Sequence, residues 1–223
     1  MRRAARALTL ALLVACAGAR AEPVTIDDIA PEVVEAVRAT GLVGAGLPVR
    51  GFTWKLEQRR PFRGPRTTVE TLTASADGAS PAQSETTLPD GRMEYSEYLS
   101  VRGLLRLGPN DKTLGITASG LALPLVPGRQ FKLSGERDGM VLDQACTARS
   151  RVPATQLHES LPGDAVLIDC AGEGKYRGLT AQVTSEVVWL AKLNVFLDRH
   201  DVFDSPLGRF EFSRAVLDFR FND

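Results

Sequence analysis

Two residues, Asp138-Gly139, constrain this chain more than any others. An Asp-Gly pair between runs of alternating apolar residues is the strongest short-range hairpin signal, because both central positions of the tight turn need a left-handed backbone. Folding the chain there sets Arg137 opposite Met140, Leu133 opposite Gln144 and Phe131 opposite Cys146. Phe131 and Leu133 then share a face with Met140, Leu142 and Cys146, and a slip of one residue would turn every one of them over. The strand Asp164–Cys170 carries Val166, Ile168 and Cys170 on its apolar face. Setting Cys146 opposite Cys170 brings Ala148 opposite Ile168 and Ser150 opposite Val166, small against large. On the other face Arg149 falls diagonal to Asp169. At the far end Val152 would meet Asp164, so the pairing is expected to stop before Val152. Cys146 and Cys170 are expected to form a disulfide across neighbouring antiparallel strands; two buried free thiols are the alternative.

The same two-residue period runs through most of the chain. Phe52, Trp54 and Leu56 alternate with Thr53, Lys55 and Glu57, the pattern of a half-buried strand. Gln58–Pro65 reads as a turn and Thr67–Ala74 as the returning strand. Ser75–Gly91 has almost no large apolar residue and reads as a long mobile loop. Arg92–Leu107 reads as one long strand bent at Gly103, with Met93, Tyr95, Leu99, Val101, Leu105 and Leu107 on one face. Gly172-Glu173-Gly174 reads as a turn that would set Ile168 opposite Leu179 and Val166 opposite Ala181. Asp198–Gly208 reads as a polar loop. Phe210 and Phe212 lie on one parity and Leu217, Phe219 and Phe221 on the other; the flip near Ala215-Val216 predicts a β-bulge.

Only Pro31–Thr40 reads as a helix. Proline suits its first turn, Glu32 lies near its start, Gly41 follows its end, and Val33, Val34 and Val37 form one stripe. With roughly ten strands and one helix, the expected fold is mainly β. It is a single curved antiparallel sheet or open β-barrel with one short N-terminal helix. The expected organisation is a signal peptide over 1–21, a leader and short helix over 22–50, and an antiparallel β domain over 51–223.

The first 21 residues read as an address. Arg2, Arg3 and Arg6 precede an apolar run, Ala7–Ala15, and Ala19-Arg20-Ala21 offers the small residues of a cleavage site. The apolar run is shorter than the ~20 residues that cross a bilayer, and no later stretch spans one. Leu13-Val14-Ala15-Cys16 also resembles the lipobox at which Cys16 would be lipidated; the layout of small residues favours cleavage after Ala21. Export to the periplasm of a bacterium is expected, with lipid anchoring at the outer membrane as the alternative. Cleavage would remove four arginines and no acid from a chain of 27 basic and 27 acidic residues, leaving a net charge of −4. Such a chain has no electrostatic reason to bind nucleic acid. Cys16 leaves with the signal or carries lipid, and the remaining pair suits an oxidising compartment.

Leu123-Pro124-Leu125-Val126-Pro127-Gly128-Arg129-Gln130-Phe131 resembles a Pro-Leu-x-x-Gly-x-x-aromatic strand opening in a group of exported bacterial β-rich domains of unknown function. Leu161-Pro162-Gly163-Asp164-Ala165-Val166 and Val188-Trp189-Leu190 follow in similar order, so the likeness covers about residues 120–197. This chain departs from that group in its cysteine pair and in lacking an aromatic cluster near Trp189. The resemblance implies an envelope β domain and brings no catalytic residues.

The sequence holds no nucleophile elbow, phosphate-binding loop, dinucleotide fingerprint or zinc-protease motif. It has two histidines, His158 and His200. His200 with Asp198, Asp201 and Ser205 can be drawn as a base with orienting acids, but loop residues adjacent in sequence rarely make a triad. Asp198, Asp201 and Asp204 lack the alternation and central glycine of a calcium loop. No zinc spacing and no cofactor are expected. The sharpest charge cluster is Arg59, Arg60, Arg63 and Arg66, interleaved with Pro61, Phe62 and Pro65. In the envelope these arginines could meet anionic lipid or lipopolysaccharide phosphates, and a solvated hairpin loop is the plainer reading. The leading functional expectation is a non-catalytic envelope module that binds or assembles with another envelope protein, lipid or glycan. A carrier of a hydrophobic ligand and a hydrolase using His158 or His200 are the alternatives.

Overall fold

The computed structural model describes residues 23–43, 50–74, 78–111, 116–137, 140–176 and 178–222. The expected signal peptide with Cys16, and the Asp138-Gly139 turn itself, lie outside them. The helix α1, Pro31–Ala39, buries Val33, Val34 and Val37. Twelve strands follow: β1 (Phe52–Arg60), β2 (Arg63–Leu72), β3 (Ala79–Thr87), β4 (Met93–Val101), β5 (Leu105–Leu107), β6 (Ile116–Ser119), β7 (Gln130–Arg137), β8 (Met140–Pro153), β9 (Asp164–Tyr176), β10 (Leu179–Leu190), β11 (Val195–Ser205) and β12 (Gly208–Phe221). They form one antiparallel sheet in the order β5-β4-β3-β2-β1-β12-β11-β10-β9-β8-β7-β6. The sheet is open, with β5 and β6 at its edges, and not closed into a barrel.

Those two edges are consecutive in sequence, so the eight residues 108–115 must join them. Nine peptide steps reach at most about 32 Å, whereas twelve strands laid flat would spread over about 50 Å. The sheet therefore curls until its edges approach. The curl produces two cores. Leu99 and Val101 of β4 and Leu105 and Leu107 of β5 pack with Phe131, Cys146, Ile168, Trp189 and α1. Phe52, Trp54 and Leu56 of β1, with Tyr98 of β4, pack with Val188 and Leu190 of β10 and Val195 and Leu197 of β11. Each half of the sheet thus presses one face into the hollow of the other. A backbone hydrogen bond from the Phe196 amide to the Arg102 carbonyl (2.7 Å) ties the halves where they cross.

The register around β7, β8 and β9 is the one the sequence predicts. Arg137 pairs with Met140, Leu133 with Gln144 and Phe131 with Cys146. Cys146 pairs with Cys170 and is bonded to it. Arg149 reaches Asp169 at 2.7 Å. The pairing does not stop before Val152, however. A bulge between Ala148 and Arg151 sets Arg151, not Ser150, opposite Val166, and Val152 opposite Ala165. One extra residue thereby removes the clash of Val152 with Asp164 and lets the ladder run on to Pro153.

Five other expectations are corrected. Most of Ser75–Gly91 is not a loop: β3 runs through it, hydrogen-bonded to β2 and β4. Its buried side chains, Ala79, Ala82 and Ser84, are all small. Arg92–Leu107 is not one strand, since Arg102-Gly103-Leu104 turns it back on itself to make β5. A Cβ on Gly103 would stand 2.3 Å from the Phe196 carbonyl oxygen, so the crossing needs glycine. Gly172-Glu173-Gly174 is not a turn: β9 continues to Tyr176, which pairs with Leu179, and Ile168 faces Val187 while Val166 faces Trp189. Asp198–Gly208 is mostly strand β11. The bulge expected near Ala215-Val216 falls at Leu217, where Lys55 pairs with Asp218 and Leu56 with Val216. It returns Phe210, Phe212, Val216 and Phe219 to one face. The Pro61-Phe62 turn is also shorter than expected, because β1 and β2 continue to Arg60 and Arg63.

Candidate functional site

Beyond the crossing, the hollow of the sheet is not filled. An open cleft of about 510 Å³ lies over β1, β12, β11, β10, β8 and β7. Its floor is apolar, made by Leu133, Leu142, Val183, Val187, Phe203 and Phe212. The strands deliver these side chains because each lies on the inward parity of its register: Val183 pairs with Phe203, and Phe203 with Phe210. Polar groups interrupt that floor where an apolar residue would keep the alternation. Gln144 and Ser185 are buried, and the Gln144 side-chain amide donates to Ser185 Oγ at 2.9 Å. Gln58, also buried, accepts a bond from Arg66 Nε at 2.6 Å. Asp198, Asp201, Arg59, Arg60 and Arg214 add charged groups to the lining. Such a surface suits a ligand with an apolar body and a polar or charged end.

The four arginines singled out in the sequence stand together on the β1–β2 hairpin. Arg60 pairs with Arg63 across the turn, and Gln58 pairs with Arg66. Arg59 Nε bonds Glu57 at 2.8 Å. Burial lowers the Arg66 guanidinium pKa to about 10, and the positive charges of Arg60, Arg214 and Arg106 add to the shift. Phe62, at the tip, is 94% exposed and touches Phe210 edge-on at 5.9 Å.

The histidines are placed apart from the cleft floor. His158 Nδ1 lies 2.7 Å from Ser160 Oγ in the connection after the short 3-10 turn Ala154–Gln156. His200 lies 3.8 Å from Glu211 on β12. A bulge between Glu186 and Val187 in the β10–β11 ladder parts Asp198 from it, and ordinary alternation parts Asp201: both aspartates line the cleft, while His200 lines a depression with Thr147, Arg149, Asp169 and Glu186. Among the described residues no group of three or more His, Cys, Asp or Glu side chains is placed to hold a metal ion. No helix among them is long and apolar enough to cross a membrane.

Sequence reasoning allowed a lined cavity under the carrier alternative but did not place this cleft, because its lining comes from six strands spread over 157 residues, from Gln58 to Arg214. A usable signal was present in Gln144, between Leu142 and Cys146, and in Ser185, between Val183 and Val187: each is a polar residue on an apolar parity.

The fold defines a class, the open and self-clasping antiparallel sheet with a cleft in its hollow. No protein-family model matches the chain, and no curated protein matches it. Among solved structures it is similar to a chain from Bacteroides fragilis, proposed to be exported and described as having a YmcC-like fold. The TM-score is 0.40 at 7% identity, over 78% of this chain and 98% of that one.

Proposed function

We propose that this is an exported, non-catalytic binding module of the bacterial cell envelope, and that the cleft is its ligand site. The basic and apolar start of the chain and the Cys146–Cys170 bond support export. The cleft carries the binding reading: about 510 Å³ of space, an apolar floor, and buried Gln144, Ser185 and Gln58 to orient a polar group. Its features favour a ligand with an aliphatic or aromatic body over a free sugar. The hydrolase reading loses ground, since His200 and the two aspartates once grouped with it line different surfaces.

The test fills the cleft. Leu142 is partly exposed on its floor, so Leu142→Trp adds bulk into open space rather than into a packed core. Anilinonaphthalene sulfonate, an amphipathic anion, should bind the folded wild type, and Leu142→Trp should lose that binding by about tenfold or more with its melting temperature unchanged. Native mass spectrometry of protein recovered from the envelope should show a small-molecule adduct that the variant lacks. Equal dye binding by both proteins would remove the cleft as the site.

A further inference from the structure

We propose that the tip of the β1–β2 hairpin docks the protein on an anionic lipid surface. Phe62 is 94% exposed, and its backbone φ of 58° is one that a bulky side chain rarely adopts. Packing does not account for a phenylalanine there, since among the described residues its one ring contact is with Phe210. A second apolar side chain, Leu207, is 69% exposed at the tip of the neighbouring β11–β12 hairpin. The two tips lie at the same end of the sheet, because Arg59 pairs with Ser213 and Phe62 meets Phe210.

The charges favour an anionic partner at the first tip. Arg60 and Arg63 flank Phe62, and among the described residues neither makes an ion pair. Arg59 and Arg66 stand behind them, Arg59 bonded to Glu57 and Arg66 near enough to Glu94 to feel its charge, so four arginines face two carboxylates. The β11–β12 hairpin is closer to neutral, with Asp204 opposite Arg209 and Glu211 bonded to Arg209 at 2.9 Å. A stable protein partner takes roughly 800 Å² on this side, whereas the exposed apolar groups at this end are two single side chains, Phe62 and Leu207. A bilayer interface accepts isolated apolar side chains one at a time, with arginines held at the phosphates. Arg59 and Arg60 also line the cleft, so docking in this way would turn the cleft towards the head groups. The docking inference does not depend on what the cleft holds.

The experiment uses the exported protein carrying Cys16→Ala, so that no acyl chain attached there can anchor it. Its flotation is measured with vesicles of phosphatidylcholine and with vesicles of phosphatidylcholine mixed with phosphatidylglycerol. The protein should bind only the anionic vesicles, and less as salt rises. Phe62→Ser and the double variant Arg60→Glu, Arg63→Glu should each weaken binding by about tenfold or more. Both change exposed side chains, so their melting temperatures should match the parent, and Leu142→Trp should still bind vesicles. Arg38→Glu, a like change of charge on α1, should leave binding unaltered. The inference is overturned by absence of binding, by equal binding to both vesicles, or by binding that ignores the tip variants. Self-association lost with Phe62→Ser in a protein that does not float would overturn it in favour of a second copy of the chain.

Discussion

At the residue scale, Glu70 is the most consequential side chain that the hydrophobic pattern does not reveal. It sits on the buried face of β2, 4% exposed, beneath the aromatic strip of β1 and β4. Its carboxylate accepts hydrogen bonds from Trp54 Nε1 and from the Tyr98 hydroxyl, and Arg106 lies 3.4 Å away and stacks over Tyr98. A carboxylate in such a place is tolerable only because donors surround it. Glu70→Ala would leave the donors of Trp54 and Tyr98 buried without an acceptor, at a cost of roughly 2–3 kcal/mol. The midpoint of urea unfolding should fall accordingly with the slope unchanged; a midpoint equal to wild type would show that water reaches those donors. Glycine was misread at this scale. Gly172 and Gly174 look like turn formers, yet Gly172 lies where β9 passes so near β8 that a Cβ would stand 1.9 Å from the Asp143 carbonyl oxygen. The glycine marks a close approach inside a strand, one of the two things a strand glycine can mean.

At the scale of elements, strands with apolar alternation were legible and strands without it were not. The β7–β8 register could be derived from one turn and held from Gln130↔Thr147 to Arg137↔Met140. The β9–β10 turn lies four residues later than expected, an even shift, so the faces were right although the partners were not. β3 was invisible because its inward residues are alanine and serine, which leave no large apolar side chain to mark a period. That strand is held instead by ladders on both sides and by polar pairs such as Thr68–Thr86 at 2.9 Å and Gln83–Glu97 at 3.0 Å. Amide hydrogen exchange should therefore find Ala82–Thr86 protected to the same order as β2 and β4. Exchange there at the rate of an open loop would return the segment to the mobile class. The parting of Asp198 from His200 was illegible for a related reason: the bulge involves Arg199, and apolar residues occupy both parities on either side of it.

At the scale of the whole molecule, the disulfide fastens the centre of one half of the sheet, where Cys146 and Cys170 are both nearly fully buried. It closes a loop of about 25 residues, which the chain-entropy argument values at roughly 3–3.5 kcal/mol. Cys146→Ser should melt roughly 10 °C lower than the oxidised wild type, and a reductant should bring the two close together. Equal melting under oxidising conditions would show that the bond does not restrain the unfolded chain. The strand order has a consequence of a different kind. Every neighbouring pair in the sheet is consecutive in sequence except β1 with β12, and β1 begins beside the end of β12, with the Asn222 amide bonded to the Gly51 carbonyl at 2.7 Å. Topologically the protein is a ring of hairpins that has been cut once. The cut falls in the middle of the sheet, so the first strand to emerge during synthesis waits with a bare edge for the last one. The same ring cut between β5 and β6, with residues 22–50 serving as the β12-to-β1 connection, would read as an uninterrupted meander. Every pairing would be kept, and none would have to wait for the far end of the chain.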